Sequence, residues 1–132
     1  MKISFVVASF QSLSGIKISL DSILSQTYEN FEIIIVYRRC SSDDISLPII
    51  EEYISKDHRL KLILDDTPGI YYAWNIALDK IKGDWVIFLG DTDKFTSKYK
   101  LESLVNLLNQ NRNLNFLSSR AFRSGKIIGE KL

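Results

Sequence analysis

Strand-like and helix-like segments alternate four times along this chain, and the alternation limits the possible folds more than any other feature. The strand-like segments are short apolar runs rich in β-branched and aromatic residues, at 3–8, 31–37, 60–64 and 85–89. After each of them, apolar residues recur at helical spacing. A helix between two strands carries the chain back so that the strands pair in parallel. The sequence therefore predicts an α/β fold of three layers (α/β/α), a mostly parallel sheet with helices on both faces.

The last third of the chain continues the pattern less clearly. Gly83 is placed to end the third helix as a C-cap, and a fourth helix follows the strand at 85–89. The run at 114–118 predicts a fifth strand. Ser124-Gly125 is a turn signal that predicts a small ribbon at the sheet edge within 120–132.

Length and charge narrow the classes of function. A chain of 132 residues without a linker-like stretch predicts one domain over 1–132. The net charge of +1 gives no electrostatic reason to expect a nucleic acid partner. No apolar run approaches the roughly 20 residues that cross a bilayer, and the chain begins directly with a strand-like run, which favours a cytoplasmic protein. The single cysteine, Cys40, and single histidine, His58, exclude a disulfide framework and a zinc cluster within one chain.

Two aspartates directly follow the strand at 85–89. Gly90 ends the apolar run, and Asp91 and Asp93 come next with one residue between them. Ligands of open α/β sheets bind just beyond the carboxyl ends of the strands. Two carboxylates at that place could share Mg²⁺ or Mn²⁺, which prefer oxygen ligands. The alternative is that both aspartates only cap a turn and the following helix.

Three segments in consistent order carry a family resemblance. The first is the strand at 3–8, its Ser-Phe loop and the run Leu20–Val36; the others are Gly69–Leu78 and Gly83–Asp93. Together they resemble the N-terminal, nucleotide-sugar-binding half of family 2 glycosyltransferases of the GT-A fold. The resemblance implies an enzyme that moves a sugar from a nucleotide diphosphate donor to an acceptor hydroxyl.

The resemblance also implies roles for particular residues. A divalent cation would bridge Asp93 and the donor phosphates, with Asp91 near the ribose or the metal, and would stabilise the diphosphate leaving group. The remaining residues expected at the nucleotide sugar are Ala8, Ser9, Phe10, Tyr37, Asp66, Gly69 and Asn75. Tyr37 could stack on the base and Gly69 would allow a close backbone approach. Taken singly, Gly69 also reads as a plain turn glycine, and Asn75 as a residue on a helix surface.

The resemblance implies a setting as well. The acceptor would be a glycan or a lipid-linked molecule in polysaccharide or glycoconjugate synthesis. The protein would work in the cytoplasm or at the inner face of the membrane. A homodimer that covers an exposed sheet edge is a further expectation.

The sequence departs from the family pattern after the second strand, in its length, and at Tyr72, where the family often has an acidic residue. In the family, an acidic residue that helps to bind the base of the nucleotide usually follows the second strand. This chain has Arg38 and Arg39 there, which could hold phosphate or lie in an exposed loop. Family members also usually continue well past this length, and that part supplies the acceptor contacts and the catalytic base. The catalytic base is therefore not assigned.

Two rival functions remain open from the sequence. The chain could be a non-catalytic, nucleotide-binding remnant or subunit of such an enzyme. A Mg²⁺-dependent phosphoryl-transfer domain is disfavoured, because the first strand ends in Ala8-Ser9-Phe10 without an acidic residue.

Overall fold

The computed structural model of the chain describes residues 1–39, 43–118, 121–123 and 126–128, and its centre is a parallel sheet. The sheet has four strands in the order β3-β2-β1-β4, and all neighbours are parallel. The strands are β1 (Ile3–Ser9), β2 (Phe31–Tyr37), β3 (Leu60–Leu64) and β4 (Trp85–Gly90). All four were predicted from the apolar runs, within one residue at each end.

Helices cover both faces of this sheet. They are α1 (Gly15–Leu24), α2 (Ser46–Lys56), α3 (Ile70–Leu78) and α4 (Lys100–Gln110). Apolar residues of α1, α2 and α4 share one buried cluster with one face of the sheet, whereas α3 packs in a second cluster on the other face. The predicted three-layer α/β/α fold is confirmed.

The two clusters follow from the period of two in a strand. Phe5 and Val7 of β1 point into the cluster under α1, while Val6 between them points toward α3. All three are 0% exposed. The register places Val6 between Ile34 of β2 and Phe88 of β4, so α3 packs over three strands. A strand buried on both faces needs an unbroken apolar run, and for this reason the runs marked the sheet so clearly.

The buried carboxylate of Glu32 lies near the amino-terminal end of β2 and links it to neighbouring strands. Glu32 of β2 accepts hydrogen bonds from Ser4 Oγ (2.8 Å), the Lys61 ammonium (2.9 Å) and the backbone N–H of Lys82 (2.5 Å). Its side chain is only 3% exposed. Glu32 therefore ties the first three strands to the loop that enters β4.

Three expectations for the rest of the chain need correction. The fifth strand at 114–118 is wrong: the chain turns after α4, with the Leu114 N–H donating to Asn111 O (3.1 Å), and Phe116 is 79% exposed. Gly83 is not a C-cap, because α3 already ends at Leu78. The ribbon forms as β5 (Ala121–Arg123) and β6 (Lys126–Ile128), but as an antiparallel sheet of its own and not at the edge of the main one.

Some residues singled out in the sequence lie outside the described residues: Cys40 and the turn Ser124-Gly125. Within the part of the chain that the structure describes, no helix has both the length and the apolar character that a membrane span requires.

Candidate functional site

A pocket of about 290 Å³ opens at the carboxyl ends of the four parallel strands. This is the end at which ligands of open α/β sheets bind, and the volume is near the lower end of the ~300–1,000 Å³ typical of small-molecule sites. Every strand of the main sheet, or the loop directly after it, contributes to the wall, as does the start of α3. The lining residues are Ala8, Ser9, Phe10, Val36, Arg38, Asp65, Thr67, Gly69, Ile70, Ala73, Gly90 and Asp91.

The pocket lies on the face of the sheet that α3 covers. Ala8, Val36 and Gly90 are register partners near the ends of three adjacent strands, and all three line it. Their small side chains leave space above the sheet where α3 begins. The backbone of Gly69 at the start of α3 has a φ of 116°, which L side chains rarely adopt. Gly69 is thus required by the turn, and it also lines the pocket.

Asp91 lies at the β4 end of the pocket and is held by the loop after β1. Its Oδ2 accepts a hydrogen bond from the backbone N–H of Phe10 (2.8 Å). Asp93 closes the turn after β4: its backbone N–H donates to Gly90 O (3.1 Å), and its Oδ2 accepts from the Gly90 N–H (2.8 Å). The turn-capping role that the sequence left open is therefore present in the structure.

The chemistry of this acidic pair fits a hard cation. Each carboxylate uses Oδ2 for one backbone N–H and has a second oxygen, and oxygen is the ligand that Mg²⁺ and Mn²⁺ prefer. No group of three or more His, Cys, Asp or Glu side chains that could hold a metal occurs among the described residues. A cation at Asp91 and Asp93 would therefore need further oxygens, which phosphates and water supply in many magnesium sites.

The other end of the pocket is charged and aromatic. The guanidinium carbon of Arg38 lies 4.0 Å from the centroid of the Phe10 ring, a cation–π contact. Asp65, on the loop after β3, lines the same region, and its Oδ1 accepts from the Thr67 N–H (2.7 Å). The sequence left two roles open for Arg38, holding phosphate or lying in an exposed loop, and the structure places it in the pocket wall. Asp65 was not among the residues expected at the nucleotide sugar.

Five of the residues predicted at the donor line the pocket: Ala8, Ser9, Phe10, Gly69 and Asp91. Tyr37 does not, because it points to the opposite face of the sheet, is 3% exposed and donates its hydroxyl to Asp44 Oδ2 (2.8 Å). To stack on a base, its ring would have to leave the core.

Asp66 and Asn75 also lie outside the pocket wall. Asp66 is exposed and pairs with Arg39 at 3.6 Å, whereas its neighbour Asp65 faces the pocket. Asn75 is exposed on α3, two residues and thus about 200° around the helix from Ala73, which lines the pocket. In an extended chain successive side chains point to opposite sides. This alternation, continued from β3, is the sequence signal that could have distinguished Asp65 from Asp66.

The model for glycosyl transferase family 2 matches residues 4–130 of this chain. The chain belongs to glycosyltransferase family 2. This confirms the resemblance that the three sequence segments carried, and the parallel sheet with its strand-end pocket is the part of the fold on which they lie.

Relatives of this family 2 chain agree with the assignment. It is 36% identical over 110 residues to an uncharacterized glycosyltransferase of Haemophilus influenzae, covering 83% of this chain and 43% of the relative. It is 31% identical over 116 residues to the Escherichia coli enzyme WfgD, a UDP-Glc:alpha-D-GlcNAc-diphosphoundecaprenol beta-1,3-glucosyltransferase, covering 87% of this chain and 44% of WfgD.

A solved structure of the same fold is that of TarS residues 1–349 from S. aureus in complex with UDP-GlcNAc. It superposes with a TM-score of 0.73 at 29% identity, over 85% of this chain and 32% of that one. The chain thus spans less than half the length of the relatives that it matches.

Proposed function

We propose that this chain binds a nucleoside diphosphate sugar in the strand-end pocket and serves the transfer of that sugar to an acceptor hydroxyl. The observation that carries the proposal is the pocket itself. All four parallel strands contribute to it, directly or through the loop that follows, and an acidic pair follows the strand at one end of it. TarS, which has the same fold, binds UDP-GlcNAc, and the name of WfgD includes UDP-glucose.

We assign Mg²⁺ or Mn²⁺ to Asp91 and Asp93 as the cofactor. When bound, the cation would neutralise the charge that develops on the diphosphate as the sugar leaves. The chain's own residues hold the acidic pair in place, since the Phe10 N–H fixes Asp91 and the Gly90 N–H fixes Asp93. The residues proposed at the donor are those that line the pocket.

The setting proposed for the reaction follows the family. WfgD is named for a lipid-linked acceptor, and a glycan or lipid-linked acceptor in polysaccharide synthesis is proposed here as well. We propose the cytoplasm or the inner face of the membrane as the location of the reaction. A homodimer remains a prediction; within the main sheet, β3 and β4 are the edges that a second copy could cover.

The test is calorimetric titration with UDP and GDP, in Mn²⁺ and in EDTA, of the unchanged chain and of Asp93→Asn. Asparagine keeps an acceptor for the Gly90 N–H but removes the charge, so the variant should fold. We expect it to lower Mn²⁺-dependent affinity by about tenfold or more.

Asp79→Asn is the matched control, because Asp79 is exposed at the end of α3 and does not line the pocket. It should bind like the parent. Equal binding in Mn²⁺ and EDTA would refute the cation site, and no binding of either nucleotide would refute the proposed function.

A further inference from the structure

Arg38 and Asp65 are neighbours at the end of the pocket farthest from β4. Tyr37 and Leu64 are register partners at the ends of β2 and β3, and the Asp65 N–H donates to Tyr37 O (3.1 Å). Arg38 and Asp65 are the next residues on these two strands, and both line the pocket. A guanidinium only donates hydrogen bonds and a carboxylate only accepts them. The pair therefore offers a donor and an acceptor side by side.

The position of Arg38 is set by contacts on two sides. Its backbone N–H donates to Ser9 O (3.0 Å), and its guanidinium lies over the Phe10 ring at 4.0 Å. The backbone of Phe10 is held in turn, since its N–H donates to Asp91 Oδ2 (2.8 Å). A guanidinium covered on one face by an aromatic ring keeps its N–H groups at its edge, where they can donate to a ligand.

Strand spacing decides which part of a donor could reach this pair. Neighbouring strands are about 4.8 Å apart, so the end of β2 is roughly 10 Å from the end of β4, and that of β3 roughly 14 Å. If the pyrophosphate binds beside Asp91, as the proposed function requires, the nucleoside extends toward Arg38 and Asp65. The wall of the pocket also includes Ile70 and Ala73, which suit the apolar faces of a base.

We propose that Arg38 is the specificity-determining residue for the nucleobase of the donor. Its guanidinium donates to a carbonyl oxygen of the base, and Asp65 accepts from the ring N–H beside that carbonyl. Uracil and guanine present a ring N–H next to a carbonyl oxygen, whereas adenine and cytosine have no such pair on their pairing edges. This inference rests on the proposed function and adds to it the part of the donor that this end of the pocket recognises.

The experiment measures the affinities of UDP, GDP, CDP, ADP and inorganic pyrophosphate in Mn²⁺ for the unchanged chain and for Arg38→Gln. The unchanged chain should prefer UDP or GDP. Arg38→Gln should weaken the preferred nucleotide about tenfold, the effect of one good base contact, and remove the preference over CDP and ADP. Pyrophosphate should bind both proteins equally.

Arg39→Gln is the matched control, with the same change of charge one residue away. Arg39 is exposed, pairs with Asp66 and does not line the pocket, so all five affinities should stay as they are. The inference is overturned if Arg38→Gln weakens pyrophosphate as much as the nucleotides, since Arg38 would then bind phosphate. It is also overturned if the unchanged chain shows no preference among the four nucleotides, or if Arg38→Gln keeps the same preference. No nucleotide binding by the unchanged chain would refute the proposed function itself, and this inference with it.

Discussion

Replacing Glu32 by glutamine should destabilise the fold in a way that depends on pH. Burial by itself raises the pKa of Glu32, but hydrogen bonds from Lys61, Ser4 and the Lys82 backbone outweigh it and lower the pKa from 4.5 to about 2. At 1.36 kcal/mol per pKa unit, this difference is worth about 3 kcal/mol of folding stability. For a domain with a total stability of ~5–15 kcal/mol, the loss would be large.

The sign of the pH dependence follows from the lowered pKa. The carboxylate contributes fully above the unfolded-state pKa of 4.5, and the contribution is lost as pH falls toward about 2. Glu32→Gln should therefore lower the melting temperature by about 10 °C near neutral pH, and by much less near the folded-state pKa. Urea and thermal unfolding, followed by tryptophan fluorescence, would measure both effects.

Glu52→Gln is the control for this experiment. Glu52 is exposed and pairs with Lys56 one helical turn away, and such surface pairs contribute little. The stability of the Glu52→Gln variant should therefore follow that of the parent across the pH range. If the gap between Glu32→Gln and the parent stayed constant from about pH 6 to about pH 3, the charge of Glu32 would not be the stabilising element.

Two further substitutions test particular placements. Gly83→Ala should destabilise the chain by about 1–3 kcal/mol in urea denaturation. A Cβ there would lie 2.7 Å from Ser4 N and 2.9 Å from Lys2 O, and these backbone atoms cannot easily move away. An unchanged urea midpoint of unfolding would refute this packing. Asp65→Asn should weaken nucleotide binding in the titration, whereas Asp66→Asn should not, because of the two only Asp65 lines the pocket. If Asp66→Asn weakened binding and Asp65→Asn did not, Asp66 would be the donor-binding residue, as expected from the sequence.

The sequence located the strand ends well but not the directions of the side chains there. Ala8 and Ser9 end β1 and Phe10 follows it directly, so any α/β fold brings them to the ligand-binding edge. Tyr37 follows the same logic and still lies in the core. Its place in the period of two puts it on the face covered by α1, whereas Arg38, the next residue, faces the pocket.

The predicted fifth strand shows a different limit. Residues 114–118 have enough apolar character for a strand, but the chain turns there directly after α4. A strand needs a partner whose N–H and C=O groups it can pair with, and this requirement is not encoded in the run itself.

The sequence alone determined the parallel α/β architecture, the family and the acidic pair after β4. These depend on local periodicity and on motif order, which are properties of the chain itself. Only the tertiary structure decided that Arg38 and Asp65 line the pocket while Tyr37 and Asp66 do not. The side-chain direction at a strand end depends on the register between strands and on the face that each helix covers, and both are set by contacts between residues far apart in the chain.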